Sequence, residues 1–188
     1  MKNMKIRNLF VAICFSLIGL QTFAQTLTFN EKDKVFNLGF GFGNRYYGDS
    51  YYDRTFPPIS LSLEYCVADG VGPGSIGIGA FFAYQSFEHD YGGWGYRYSD
   101  IVLGGRGAYH LPLIDKFDTY GGIMLAYRVV SSSTYGAYGG ITDGHTDGSA
   151  PFFSLYAGGR YYLSSKFAIM GEVGYAYTWL TLGLSFKF

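Results

Sequence analysis

Five ionisable side chains stand at alternate positions of otherwise apolar or glycine-rich stretches: Glu64, Arg106, Arg128, Arg160 and Glu172. In extended chain their parity puts each on the face opposite the greasy residues. Held away from water, such groups must be paired and hydrogen-bonded. Two chemistries fit the set. One is an ion-pair network that fills an interior. The other is a polar path along which small solutes pass. His110 shares the face of Arg106 and reads as a member of the same network rather than as a catalyst. Asp143, His145 and Asp147 offer the ligand types of a weak cation site, but the stretch lacks the length and glutamate of an EF-hand loop and reads as a solvated Gly/Asp loop.

Nothing points to catalysis. A lipid hydrolase needs a Ser and a His held within hydrogen-bond reach, with an acidic group orienting the His. None of the three His residues has a Ser two positions on. A phosphate-binding loop, zinc spacing and paired cysteines are also missing from the sequence. The reading is therefore not an enzyme, with no cofactor and no resident metal.

The elements that would position these groups are eight period-2 segments. They span residues 35–43, 58–68, 75–87, 100–111, 119–131, 152–163, 167–177 and 180–188. Each has one face of Phe, Leu, Ile, Val, Tyr, Ala or Gly that carries no charge. The connections alternate in length. Residues 44–57, 88–99 and 132–151 are long and rich in Gly, Tyr and Asp, whereas 69–74, 112–118 and 164–166 are short. Long loops on one side and short turns on the other suit an antiparallel barrel. Tyr46, Tyr47, Tyr51, Tyr52, Trp94 and Tyr96 crowd the long loops and read as candidates for surface binding. A rival role for them is to extend a belt of aromatic residues at the long-loop end of the barrel outward, into the layer that surrounds it.

Composition narrows the class. Residues 1–24 have a basic start (Lys2, Lys5, Arg7), an apolar run and small residues before Gln25, which predicts a signal peptide and export through the Sec pathway. Residues 25–188 then form one barrel domain. Removing three basic residues from 14 basic and 14 acidic ones leaves a net charge of −3, with no basic patch for nucleic acid. Cys66 is the one cysteine after the signal, so no internal disulfide forms. Gly 28, Tyr 19 and Phe 17 against Pro 5 fits a tightly curved β protein and not a disordered one.

The apolar faces could be the core of a water-soluble barrel or the outside of a barrel in lipid. The opposite faces decide for lipid. They carry few charges and many Gly, Ala and Ser, unlike a water-exposed surface, which is about 25–35% charged. An eight-stranded barrel has an interior just wide enough for side chains to fill.

The last strand is the most specific. Thr181, Gly183, Phe186 and Phe188 follow the order polar, Gly, aromatic, aromatic that marks a carboxyl-terminal insertion signal. Gly104 to His110, followed by Lys116 and Phe117, adds to it. On these residues the chain resembles the small OmpA/OmpX-like outer-membrane β-barrels from Lys34 to Phe188. The resemblance implies an all-β, eight-stranded antiparallel transmembrane barrel, integral to a Gram-negative outer membrane and monomeric. It implies contact with outer-membrane lipids and lipopolysaccharide. During biogenesis it implies the barrel-assembly machinery and periplasmic chaperones as partners. The role expected is structural or surface interaction with a partner the sequence does not name. The alternative is a narrow pore for small solutes.

Overall fold

The computed structural model describes residues 28–43, 53–136, 148–175 and 177–188. The expected signal segment 1–24 lies outside them, as do Tyr46, Tyr47, Tyr51, Tyr52, Asp143, His145 and Asp147. Eight strands follow in chain order: β1 (Lys34–Phe42), β2 (Asp53–Val71), β3 (Gly74–Asp90), β4 (Trp94–Ile114), β5 (Phe117–Gly136), β6 (Ala150–Tyr162), β7 (Phe167–Gly174) and β8 (Leu180–Lys187). Each pairs antiparallel with its neighbours, and β1 pairs with β8, so the sheet is a closed barrel. All eight expected segments are strands. Closure leaves no edge around the ring.

Alternation sets which face goes where, and the outcome is opposite to that of a protein in water. Leu125 is 68% exposed, while Arg160 and Asp118 are fully buried. Ile123, Leu155, Leu103, Phe153 and Val173 also stand on the outer surface. A soluble barrel would hold these residues inside. A continuous apolar exterior of this size marks contact with a membrane or a partner. Phe42, Tyr127 and Tyr175 are exposed toward one end of this band, and Tyr65, Tyr109, Tyr161, Phe186 and Phe188 toward the other. Amphipathic rings prefer that position at an interface.

Strand lengths are unequal. β2 to β5 have 19, 17, 21 and 20 residues, whereas β1, β7 and β8 have nine or eight. About 9–11 residues suffice to cross hydrocarbon. Four strands therefore rise as a wall above the rim of the others.

This corrects the expectation of a long loop at 88–99. His89 pairs with Tyr96 and Glu88 with Arg97, so the segment is a hairpin, and Trp94 and Tyr96 belong to β4. Its density of Gly, Tyr and Asp disguises the alternation. Asp90 makes the turn: its Oδ1 accepts from Gly92 N (2.6 Å) and Gly93 N (3.1 Å). Both glycines have positive φ, which the turn requires. At the opposite end the turns are shorter than expected, because Val71 pairs with Gly74 and Ile114 with Phe117. Lys116 takes φ 63° there. β7 stops at Gly174, before the expected Tyr177.

The β1–β8 seam depends on close backbone approach. A Cβ on Gly183 would strike the carbonyl of Leu38 and sit 2.9 Å from Gly39 Cα. Gly171, by contrast, has room, with Leu182 Cδ2 3.6 Å from the position a Cβ would take. Overpacking of this kind costs about 1–3 kcal/mol. Gly183→Ala will lower the urea midpoint of the refolded barrel in micelles, and Gly171→Ala will leave it unchanged.

Candidate functional site

The lumen holds the ionisable groups that parity puts there, in three units stacked along the barrel. Nearest the wall, Arg128 on β5 donates from Nε to Asp100 Oδ2 (2.9 Å) on β4, and Gln85 on β3 donates to the same oxygen (2.8 Å). Across the middle, Arg106 on β4 donates from Nη2 to Glu172 Oε2 (2.6 Å) on β7 and from Nε to the Tyr156 hydroxyl (3.0 Å) on β6. Tyr120 on β5 donates to the same Glu172 oxygen (3.2 Å), and the Tyr156 hydroxyl donates to the Gly107 carbonyl (3.2 Å).

The third unit, nearest the short turns, is a closed ring of four groups from four strands. His110 faces Glu64 Oε1 through Nε2 (2.8 Å) and both oxygens of Asp118 through Nδ1 (3.0 Å each). Arg160 donates to Asp118 Oδ2 (3.1 Å) and to Glu64 Oε2. Glu64, His110, Asp118 and Arg160 are at most 1% exposed. Each imidazole nitrogen thus faces a carboxyl group, and Arg160 reaches the same two carboxyl groups from the other side. Aromatic rings seal the ring of charges. Tyr120 lies 4.6 Å from Arg160 Cζ, and Phe29 lies 4.3 Å from the His110 ring centre.

Within the set of five, Arg160 meets Glu64 and Arg106 meets Glu172, while Arg128 pairs with Asp100. Its partner, Asp100, stands in the sequence at the first position of a strand, and Asp118 falls in an expected turn. Both have the parity of Arg106 or Arg128 on their own strands: Asp100 already lies inside its expected segment, and extending the next segment by one residue finds Asp118. Phe29 gives no sequence signal. It precedes every periodic segment, yet it is 1% exposed, with its carbonyl accepting from Ser75 Oγ (2.8 Å). At the seam Asn37 joins three strands, donating to Ser62 Oγ (2.9 Å) and accepting from Ser185 Oγ (2.6 Å).

The residues of the expected insertion signal divide by face. Thr181 and Gly183 turn inward against β1, and Phe186 and Phe188 are 44% and 63% exposed. Trp94 and Tyr96 join an aromatic ladder on the wall. Tyr91 stacks on Trp94 (centroids 4.8 Å apart, planes at 19°), and Trp94 meets Tyr96 edge-on at 5.9 Å. Among the described residues no cluster of His, Cys, Asp and Glu is arranged to hold a metal ion.

No family model and no curated relative matches the chain in sequence. Solved structures do match in shape. One is Ail, the attachment invasion locus protein of Yersinia pestis, in complex with the heparin analogue sucrose octasulfate. It is 13% identical with a TM-score of 0.55, over 84% of this chain and 99% of that one. A second crystal structure of Ail gives 14% and 0.53 over the same shares. OprG from Pseudomonas aeruginosa gives 12% and 0.49, over 87% and 99%. The fold is that of the small outer-membrane barrels. At these identities the likeness carries the fold and no more.

The lumenal ring sets up a stability contrast. Removing Arg160 strips Glu64 and Asp118 of their buried guanidinium partner, which costs about 3–5 kcal/mol. The Arg97–Glu88 pair, at 3.0 Å, is 49% and 22% exposed in its side chains, and such pairs contribute about 0–1 kcal/mol. In urea unfolding from micelles, Arg160→Met will lower the midpoint sharply and Arg97→Ala will scarcely move it.

Proposed function

We propose that this chain is an integral outer-membrane protein whose lumen is closed by its own side chains, and that it serves as a structural and surface-interaction protein without catalysis. The observation that carries the reading is the reversal of faces: Leu125 is 68% exposed and Arg160 0%. Hydrocarbon makes that arrangement favourable, since Lys or Arg on a lipid face costs about 2–4 kcal/mol at mid-bilayer and apolar residues there cost nothing.

Closure is supported by where the side chains go. The Arg106–Glu172 pair spans from β4 to β7, and the Glu64–Arg160 pair from β2 to β6. Each reaches across the lumen instead of lining it. Phe29 adds an apolar cap on the turn side. Surface interaction is supported by the wall. His89, Tyr91, Trp94, Tyr96 and Tyr98 form a run of ring contacts beyond the membrane-crossing length. Tyr and Trp supply large contact area with little rotamer freedom to lose. Ail, which has the same fold, is named for attachment. An envelope glycolipid, a host surface and another protein are all partners that such a wall can reach.

Two measurements separate this role from a solute pore. The refolded barrel in a planar bilayer will be silent, and steady ion conductance that changes in Arg106→Ala would establish a pore. Cells displaying the protein will bind immobilised lipopolysaccharide or cultured host cells, and the triple change Tyr91→Ser, Trp94→Ser, Tyr96→Ser will abolish that binding while heat-modifiable gel migration stays normal.

A further inference from the structure

At the turn end of the barrel a cavity of about 470 Å³ opens between the β4–β5 turn, the β6–β7 turn and the end of β8. Asp115, Lys116, Ser164, Ser165, Lys187 and Tyr162 line it. It is a fixed recess. Tyr162 N donates to the Lys116 carbonyl (2.8 Å), tying one turn to β6. Ser164 Oγ accepts from the Phe167 N–H (3.1 Å), which shapes the other turn. Lys187 Nζ stands 5.3 Å over the Tyr162 ring, donating to the Thr28 carbonyl (3.1 Å) and to Asp33 Oδ2 (3.3 Å). An ammonium has three donors, so Lys187 can still give one to a ligand.

We propose that this recess binds a phosphoethanolamine headgroup, belonging to a glycerophospholipid of the leaflet on the turn side. The proposal rests on the membrane-embedded reading above. Charge sets the headgroup. Lys116 suits a phosphate, Lys187, already paired with Asp33, can add its remaining donor, and Ser165 can donate as well. Asp115 on the same rim suits a primary ammonium, which has hydrogens to give. A purely anionic headgroup leaves Asp115 opposed, and a quaternary ammonium cannot donate to it.

Position sets the lipid. Leu113, Ile114 and Leu163 are 54%, 59% and 57% exposed at the ends of β4 and β6. They lie beyond Tyr109 and Tyr161, on the turn side of the lower aromatic band. Apolar residues in that place would face headgroups and water unless lipid covers them. A phospholipid seated in the recess lays its glycerol and upper acyl carbons against them. A free phosphate compound would leave them bare.

The test uses the refolded barrel in phosphatidylcholine vesicles, with insertion judged by heat-modifiable migration. The protein is then extracted in mild detergent with equal amounts of phosphatidylethanolamine, phosphatidylglycerol and phosphatidylcholine, and the lipid retained is read by native mass spectrometry. Phosphatidylethanolamine will be retained several-fold over both others. Lys116→Asn, which tolerates the positive φ, will reduce retention of all three. Asp115→Asn will remove the preference over phosphatidylglycerol alone. Lys166→Gln, on the same turn as Ser165 but outside the recess, will change nothing. Equal retention of the three lipids, or an equal loss in Lys166→Gln, would overturn the site while leaving the membrane reading standing. A barrel that enters no vesicle would overturn both.

Discussion

A sheet wetted by hydrocarbon has no water to satisfy a stray N–H or C=O, and each unmet group costs several kcal/mol. The pairing of β1 with β8, from Val35–Lys187 to Phe42–Leu180, meets that demand for this chain. Small and polar residues make it possible. Gly39, Gly41 and Gly183 let the two backbones and their inward neighbours approach closely, and Asn37 links β2, β1 and β8 by side-chain hydrogen bonds. Once the ring closes, alternation leaves no choice. One face of every strand looks outward, and the other looks into the lumen.

The inner face carries ion pairs, and their arrangement follows from the cost of burying charge. A lone buried ion costs several kcal/mol even after relaxation, so ions enter the lumen in balanced sets. Arg128 balances Asp100, and Arg106 balances Glu172. Arg160 and His110 both bridge Glu64 and Asp118. Tyr hydroxyls, Gln85 and backbone carbonyls take up further donors and acceptors. Such a network need not be more stable than an apolar core of equal volume. It does tie strands that are distant in sequence: Glu64 and Arg160 are 96 residues apart. A register slip of one residue in any of β2, β4, β5, β6 or β7 would turn its network members toward lipid. The ionic lumen thus penalises wrong registers more than it rewards the right one.

The same parity explains how much of the site is legible in the sequence. Alternation is a local property, so it assigns Glu64, Arg106, Arg128, Arg160 and Glu172 to the inner face, and all five are there. Their partners are not legible, because pairing depends on shear around the barrel, which no single strand encodes. Asp100 and Asp118 sit at segment ends, where alternation gives way to turn composition. The hairpin at 88–99 is hidden for a related reason: Gly, Tyr and Asp are turn residues by frequency, and only the cross-strand partners Glu88–Arg97 and His89–Tyr96 show them to be strand. Phe29 belongs to no periodic segment. Its place depends on the preformed mouth that receives it, where Ser75 and His110 meet its backbone and ring.

The wall above the rim obeys different physics from the barrel beneath it. Below, hydrocarbon outside and balanced ions inside hold each strand in register. Above, β3 and β4 have water within reach, and their contacts change accordingly: ring against ring from His89 to Tyr98, and an exposed Arg97–Glu88 pair. Aromatic and opposite-charge cross-strand pairs contribute only about 0.2–1 kcal/mol each. The wall is therefore held by many small terms, none of which the lumenal network needs. Substitutions among Tyr91, Trp94 and Tyr96 can alter what the wall touches without loosening Glu64, His110, Asp118 and Arg160. That separation leaves the sequence of the wall free to vary while the lumenal network stays in place.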